Sequence, residues 1–300
     1  LTMHHAICDG TAGPSLVHLL LTACAELTEG RPALAGMQQP LSIAADRLLT
    51  DRSQALRVWR FSETLLRSAM PSRRPRLFRT CDETPVKSTS RRTEIEFDQW
   101  DEDLSAEFVA RCREERTSVH GALCAGMLAA SRPLMEAGDR AYSCYSNVNL
   151  RPFCVPPVDP RQFGCFVYWI QTRHRFDDAA RFWDLARECG DAVQTTFKRE
   201  GFPPAIVPGT ARAFRLGTHL AMRQTSRNGY SGRTDSVGVS NLGVMRLEPR
   251  YGPFEVLESQ AATSQHLIGV CAGMLAHTFR GRMFFSLPYA TGVLDRDAAR

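Results

Sequence analysis

The sequence predicts an α/β protein, on three observations. Apolar residues recur at helical spacing in Leu16, Leu19, Leu20, Ala23, Cys24 and Leu27. Polar and apolar residues alternate with the two-residue period of a strand in Glu94-Ile95-Glu96-Phe97. From there to the end the two kinds of stretch are interleaved. With 300 residues and 43% hydrophobic content, the chain can build one large domain or two medium ones, each with its own core.

The first element is the segment Met3-His4-His5-Ala6-Ile7-Cys8-Asp9-Gly10, followed by Thr11-Ala12-Gly13-Pro14. A Gly-rich turn ending in Pro reads as the start of a helix, because Pro fits the first helical turn. The histidines are expected at the end of a short apolar strand. Neighbours in a strand face opposite ways, so only one of them can point into a given pocket while the other packs. From the residues alone the pair is open to packing, to metal ligation with Cys8 or Asp9, and to base catalysis. Opposite-facing neighbours chelate poorly, and no complementary His or Cys cluster follows. The helix carrying the Leu16 face is expected to end at Gly30, with its positive end towards the histidines.

A loop over 31–40 precedes Leu48, Leu49, Leu56, Trp59, Leu65 and Leu66, which suggest one or two helices before Pro71. Hydrophobic periodicity vanishes over 71–92, where Pro, Ser, Thr and Arg dominate, as in a linker. This divides the chain into a first unit at 1–80, a crossover at 81–92 and a second unit at 93–300. After the strand at Glu94, Leu104, Phe108 and Cys112 mark one face of a helix with an acidic start. Thr117 is placed to cap the next helix, whose face carries Val119, Leu123, Met127 and Ala130 and whose His120 reads as structural. A strand over 141–150 runs into Asn147-Val148-Asn149-Leu150-Arg151-Pro152, and Phe163-Gly164-Cys165-Phe166-Val167 follows. Helices are expected over 176–198 and 211–222. Val237-Gly238-Val239-Ser240-Asn241-Leu242-Gly243 reads as a strand and turn. Strands over 267–276 and 282–287 form a hairpin about Arg280-Gly281, ahead of Pro288-Tyr289 and Val293-Leu294-Asp295.

Composition excludes several classes. No apolar run reaches the length of a transmembrane helix; the best, at 16–25, is broken by His18 and Thr22. Ten cysteines stand singly with no C-x-x-C pair, which suits reduced thiols in a cytoplasmic protein rather than a disulfide frame or zinc site. The net charge is +5, and ten Lys/Arg lie between Arg57 and Arg92 against Glu63, Asp82 and Glu83. Such a segment suits phosphate groups, an acidic partner protein, or plain solvent. No nucleic-acid motif accompanies it.

The pattern His4-His5-x-x-x-Asp9-Gly10 resembles the signature of the condensation-domain and acyl-CoA-dependent acyltransferase superfamily, whose fold is like that of chloramphenicol acetyltransferase. Arg151-Pro152, the Phe163-Gly164 step and Ser240-Asn241-Leu242-Gly243 follow in the superfamily's order. The resemblance is nearest to the alcohol acetyltransferase and polyketide-associated acyltransferase branch. It implies two α/β sandwich lobes about a central channel. The first is expected to be incomplete, since the signature stands so near Leu1, and the superfamily's last helix to be cut short at Arg300. It implies His5 as general base, with His4, Asp9, Gly10 and Arg151 holding the site. Asp9 is implied to pair with Arg151 rather than act as an acid. Ser240, Asn241 and Gly243 are implied to line the substrate channel.

An acyl thioester is already activated, and its transfer needs a base and a place for the oxyanion. Histidine, whose ordinary pKa lies nearest neutrality, suits the first role. The resemblance therefore implies direct transfer to a small-molecule alcohol or amine from acyl-coenzyme A or an acyl carrier protein. The phosphopantetheinyl thioester is a co-substrate, no cofactor is permanently bound, and no metal is needed. No Gly-x-Ser-x-Gly elbow offers a covalent route. Two alternatives stay open. One is a condensation domain of a peptide synthetase; the other is an inactive fragment that binds an acyl ligand or partner.

Overall fold

The computed structural model describes residues 1–5, 7–33, 86–134, 141–175, 181–200, 232–265 and 268–300, with Ile43, Leu48 and Arg223. The helices expected over 48–66 and 211–222, nearly all of the basic segment and most of the linker lie outside the described residues.

A six-stranded mixed sheet organises the chain from Thr93 onward. Its strands are β1 (Thr93–Trp100), β2 (Tyr142–Asn149), β3 (Val167–His174), β4 (Arg233–Val244), β7 (Gly269–Phe279) and β8 (Arg282–Ala290), in the order β1-β8-β7-β4-β2-β3. A separate two-stranded ribbon joins β5 (Arg250–Tyr251) to β6 (Phe254–Glu255). The central β2, β4 and β7 run parallel, and antiparallel pairs complete both sides. Between β7 and β8 the hairpin turn holds Arg280 and Gly281 at φ 51° and 78°, the left-handed pair a tight two-residue turn requires. The β7 pairing ends at Leu275–Ser286, so Pro288, which has no N–H to give, sits beyond it.

Three helices cover one face of this sheet: α2 (Glu102–Glu114), α3 (Val119–Ser131) and α4 (Phe182–Glu200). Their apolar sides meet β2, β4 and β7 in one core that includes Leu123, Met127, Leu185, Val237 and Ala276. Two expectations need correcting. On α2, Phe108 and Cys112 face the core as expected, but Leu104 is exposed and Ser105 is buried in its place, because Ser105 Oγ accepts the Met283 N–H of β8 at 2.9 Å. The cap of α3 is Ser118, which accepts from Gly121 N at 3.0 Å; Thr117 donates its hydroxyl to the Ala186 carbonyl of α4 instead. His120 lies in this core against Ser146 Oγ at 2.8 Å.

The helix α1 (Ala12–Thr28) ends as the sequence predicts. Gly30 is left-handed at φ 71°, and Arg31 N returns to Glu26 O while Gly30 N bonds Leu27 O. Its Leu16 face is not a core face among the described residues. Leu20 and Leu27 are exposed, and the buried positions are Ala12 and Ala25. The helix instead reaches the β5–β6 ribbon, where His18 Nδ1 meets Tyr251 OH at 2.9 Å.

Gly121 marks where α3 and α4 cross most tightly. A Cβ there would stand 2.5 Å from the Ala186 carbonyl oxygen. Gly121→Ala should therefore destabilise the protein by about 1–3 kcal/mol through overpacking, more than the ~1 kcal/mol of helix propensity it gains. Gly126→Ala on the same helix meets nothing within 4 Å, and should keep the propensity gain. Opposite shifts of the two variants in urea unfolding are expected; a stabilised Gly121→Ala would refute the close crossing.

Candidate active site

Asp9 is where the site is fastened. Its Oδ1 accepts from the backbone N–H groups of Thr11 at 3.0 Å and Ala12 at 2.9 Å, closing the positive end of α1. Its Oδ2 accepts from Arg151 Nη1 at 2.6 Å and from the Phe166 backbone N–H at 2.7 Å. Both side chains are buried, at 4% and 1% exposure. The Arg151 Nη2 donates to the carbonyls of Gln162 and Gly164, each at 3.2 Å, and the guanidinium lies 4.7 Å over the Phe166 ring.

Local sequence explains how Arg151 comes to this place. Asn149 Oδ1 accepts the Arg151 N–H at 3.1 Å, which turns the chain at the end of β2. A single 3₁₀ turn, Arg151–Phe153, follows with Pro152 at its second position, where no N–H is needed. Leu150 N then donates to Phe166 O at 2.7 Å, drawing the approach to β3 alongside.

His4 and His5 stand in a turn, not at a strand end. The Ile7 N–H donates to the His4 carbonyl at 3.1 Å, and Ile7 is exposed. A strand needs a paired neighbour, and among the described residues none of 1–5, 7 and 8 is in a strand; the backbone is shaped by this turn and by Asp9. His5 itself is exposed. Its pKa is raised from the ordinary 6.5, first by the influence of the Cys165 side chain; burial acts the other way, while its own backbone and the Asp9 charge add to the rise.

Gly10 brings a third segment to the same place. A Cβ on Gly10 would lie 2.2 Å from a Leu242 methyl, so the Leu242 side chain occupies the space glycine leaves. Ser240 and Asn241 precede it on β4, both half-buried and paired with Leu275 and Ala276. Asn241 Oδ1 accepts the Gly243 N–H at 2.9 Å, and Gly243 is left-handed at φ 68°. The structure thus gathers His5, Asp9, Gly10 and Arg151, and joins Ser240, Asn241 and Gly243 to them through Leu242.

Sequence reasoning missed Cys165 and Leu242. Both lay inside quoted stretches, but a single thiol or leucine carries no spacing signal. Among the described residues no group of three or more His, Cys, Asp or Glu could hold a metal, and nine cysteines are free thiols. Of the basic segment, Lys87, Arg91 and Arg92 are described; Arg91 is buried and donates to the Val86 carbonyl at 2.8 Å.

Comparison with known proteins follows the same lines. The phthiocerol/phthiodiolone dimycocerosyl transferase C-terminus family matches residues 89–284. No curated protein sequence matches the chain. Among solved structures, polyketide synthase associated protein 5 from Mycobacterium tuberculosis is similar with TM-score 0.68 and 16% identity, covering 99% of this chain and 70% of its own. The trichothecene 15-O-acetyltransferase from Fusarium sporotrichioides gives 0.64 and 9%, covering 94% and 59%. The condensation domain of the Monacolin K polyketide synthase gives 0.62 and 12%, covering 99% and 65%. The chain therefore has the condensation-domain fold, and it spans only part of the length of each of these proteins.

Deleting one partner of a buried pair strands the other's charge. Asp9→Ala should cost roughly 3–5 kcal/mol, and Asp9→Ala with Arg151→Met should recover part of that loss. Urea unfolding of both variants measures it; an unchanged midpoint for Asp9→Ala would show that the pair does not hold the site.

Proposed function

The chain belongs to the phthiocerol/phthiodiolone dimycocerosyl transferase C-terminus family, and from that premise we propose that it is an acyltransferase. It takes an acyl group from a thioester and gives it to a hydroxyl or amine, with His5 as general base. One observation supports this above the others: the buried Asp9–Arg151 pair holds the His5 turn against the 162–166 segment, while Leu242 over Gly10 brings Ser240 and Asn241 to the same place.

The step needs little covalent help. Neutral His5 accepts the proton of the acceptor O–H or N–H as that atom attacks the thioester carbonyl. The new C–O or C–N bond forms, the C–S bond breaks, and the imidazolium returns the proton to the leaving thiolate. Holding both substrates in contact supplies much of the remaining acceleration. The Ser240 hydroxyl and the Asn241 amide nitrogen are the donors at hand for the oxyanion, since Asn241 Oδ1 is already taken by Gly243. The donor is acyl-coenzyme A or a phosphopantetheinyl carrier protein, brought as substrate. Free thiols on nine described cysteines support a reducing, cytoplasmic setting.

A condensation domain acting between two carriers is the second reading, supported by the fold shared with the Monacolin K condensation domain. Free acyl-coenzyme A turned over without any carrier separates the two.

The test is a panel of acyl-coenzyme A donors and alcohol or amine acceptors, with release of thiol followed by a chromogenic disulfide. His5→Ala should lower turnover by roughly 10²–10⁴-fold with the melting curve unchanged. The base works only when neutral, and its pKa is raised. The rate should therefore fall as pH drops through a midpoint above 6.5, rather than below it. Unaltered turnover in His5→Ala would remove His5 from the reaction.

A further inference from the structure

Tyr145 and Trp169 stand on the face of the sheet turned away from α2, α3 and α4. The helix-covered face carries Cys144, Val237, Val239, Ala276 and Phe285. On β3 it carries Ile170 and His174, both buried, with His174 Nδ1 against Glu188 of α4 at 2.9 Å. Side chains alternate along a strand, so Tyr145, Asn147, Trp169 and Ser240 point the other way. The turn that carries His5 lies on that side too. Leu242 fills the space over Gly10, and it packs with Phe279 and with Phe284, the residue between the core pair Met283 and Phe285.

Register sets the distance. Asn147 pairs with Trp169, Ser146 with Val239 and Ser240 with Leu275. Continued by one residue, the second pairing sets Asn147 beside Ser240. Trp169 is thus two strands from Ser240 in the same row, about 10 Å away at the ~4.8 Å spacing of neighbouring strands. On the intervening β2, the Tyr145 ring centroid lies 6.2 Å from that of Trp169, and Tyr168 stands edge-on to the same indole at 5.7 Å. The indole is held between two rings and is still 41% exposed.

We propose that Trp169, with Tyr145, determines specificity for the donor's acyl chain, and that the preferred chain is straight, apolar and of medium length. This rests on the acyl-transfer reading, which sets the thioester carbonyl beside Ser240. An extended alkyl chain advances about 1.25 Å per carbon along its zigzag of ~1.5 Å bonds, so one that starts there reaches the indole after about eight carbons. An acetyl group stops short of both rings. Hydrocarbon laid on a part-exposed indole takes apolar surface of both partners out of water, a gain that a polar acceptor would not bring.

The experiment gives the intact chain acetyl-, butanoyl-, octanoyl- and dodecanoyl-coenzyme A. Its kcat/KM should rise from acetyl to octanoyl and then level off. In Trp169→Ala the preference for octanoyl over acetyl should fall about tenfold, the low end of what one apolar contact discriminates, and Trp169→Phe should restore part of it. An octanoyl-to-acetyl ratio unchanged in Trp169→Ala would overturn the proposal. A second readout needs no turnover. Octanoyl-coenzyme A should shift the indole emission to the blue, acetyl-coenzyme A should not, and the shift should be missing in Trp169→Phe. Equal shifts with both donors would assign the indole to the coenzyme rather than the chain, and overturn it too. The two readings fail separately. A shift confined to octanoyl-coenzyme A with no release of thiol upholds the chain contact and sinks acyl transfer. Thiol release that is lost in His5→Ala, with one chain-length profile for Trp169→Ala and the parent, does the reverse.

Discussion

The Asp9–Arg151 pair joins residues 142 apart in the chain, and the rest of the site is arranged about it. Taking both charges out of water is costly, and their attraction alone does not reliably offset it. What changes the balance is the set of further bonds. The carboxylate accepts three backbone N–H groups, and the guanidinium gives to two carbonyls besides. Charge-assisted bonds of this kind are about twice as strong as neutral ones. Each also fixes a different strand of backbone. One carboxylate thereby caps α1, ends the approach to β3 and holds the turn after β2, so all three must move together or not at all.

The pair determines position, but close approach determines what lies beside it. Gly10 leaves room for Leu242, and this contact, rather than any polar bond, brings the end of β4 to the His5 turn. On the far face, Gly121 lets α3 press against α4 so that the helical layer seats on β2 and β4. The sheet is thus held rigid from behind while its loops carry the polar groups. That division suits chemistry whose main demand is that two substrates and one imidazole stay in register.

How much of this was legible depended on whether the signal was local. The hairpin about Arg280-Gly281 and the alternation at Glu94 are local, and both strands stand where expected, though longer. Gly30 ends its helix for a local reason as well. Thr117 and Ser118 compete for one cap, and the winner was decided by Ala186, 69 residues away. On the face expected of Leu104, Phe108 and Cys112, only Leu104 failed, for the same reason: Ser105 had a partner in β8 that no helical period reveals. At the candidate site, motif order named the residues that come together, and the ion pair expected of Asp9 and Arg151 is present. The strand drawn for His4 and His5 is absent, because pairing is a property of two segments and the sequence of one does not supply it. Leu242 escaped notice since it matters only through what the fold sets against it, the Gly10 backbone.

The setting of Asp9 bears on how His5 can work under the proposed acyl transfer. Where a carboxylate orients a catalytic imidazole, the acid's free oxygen fixes the ring and stabilises its cation. Here the motif's carboxylate has no oxygen left, and acts on His5 only through its charge. The other buried carboxylate on the sheet, Asp235, is held by Gln171 and Thr234. Among the described residues no carboxylate is bonded to this imidazole, which leaves it less help as a cation and would penalise a reaction that builds up full positive charge there. Attack on a thioester builds little, because the thiolate is a good leaving group and the proton is soon returned. Under the proposed acyl transfer, a histidine influenced by the motif carboxylate only through its charge is suited to such a step, and poorly equipped for cleaving an unactivated amide.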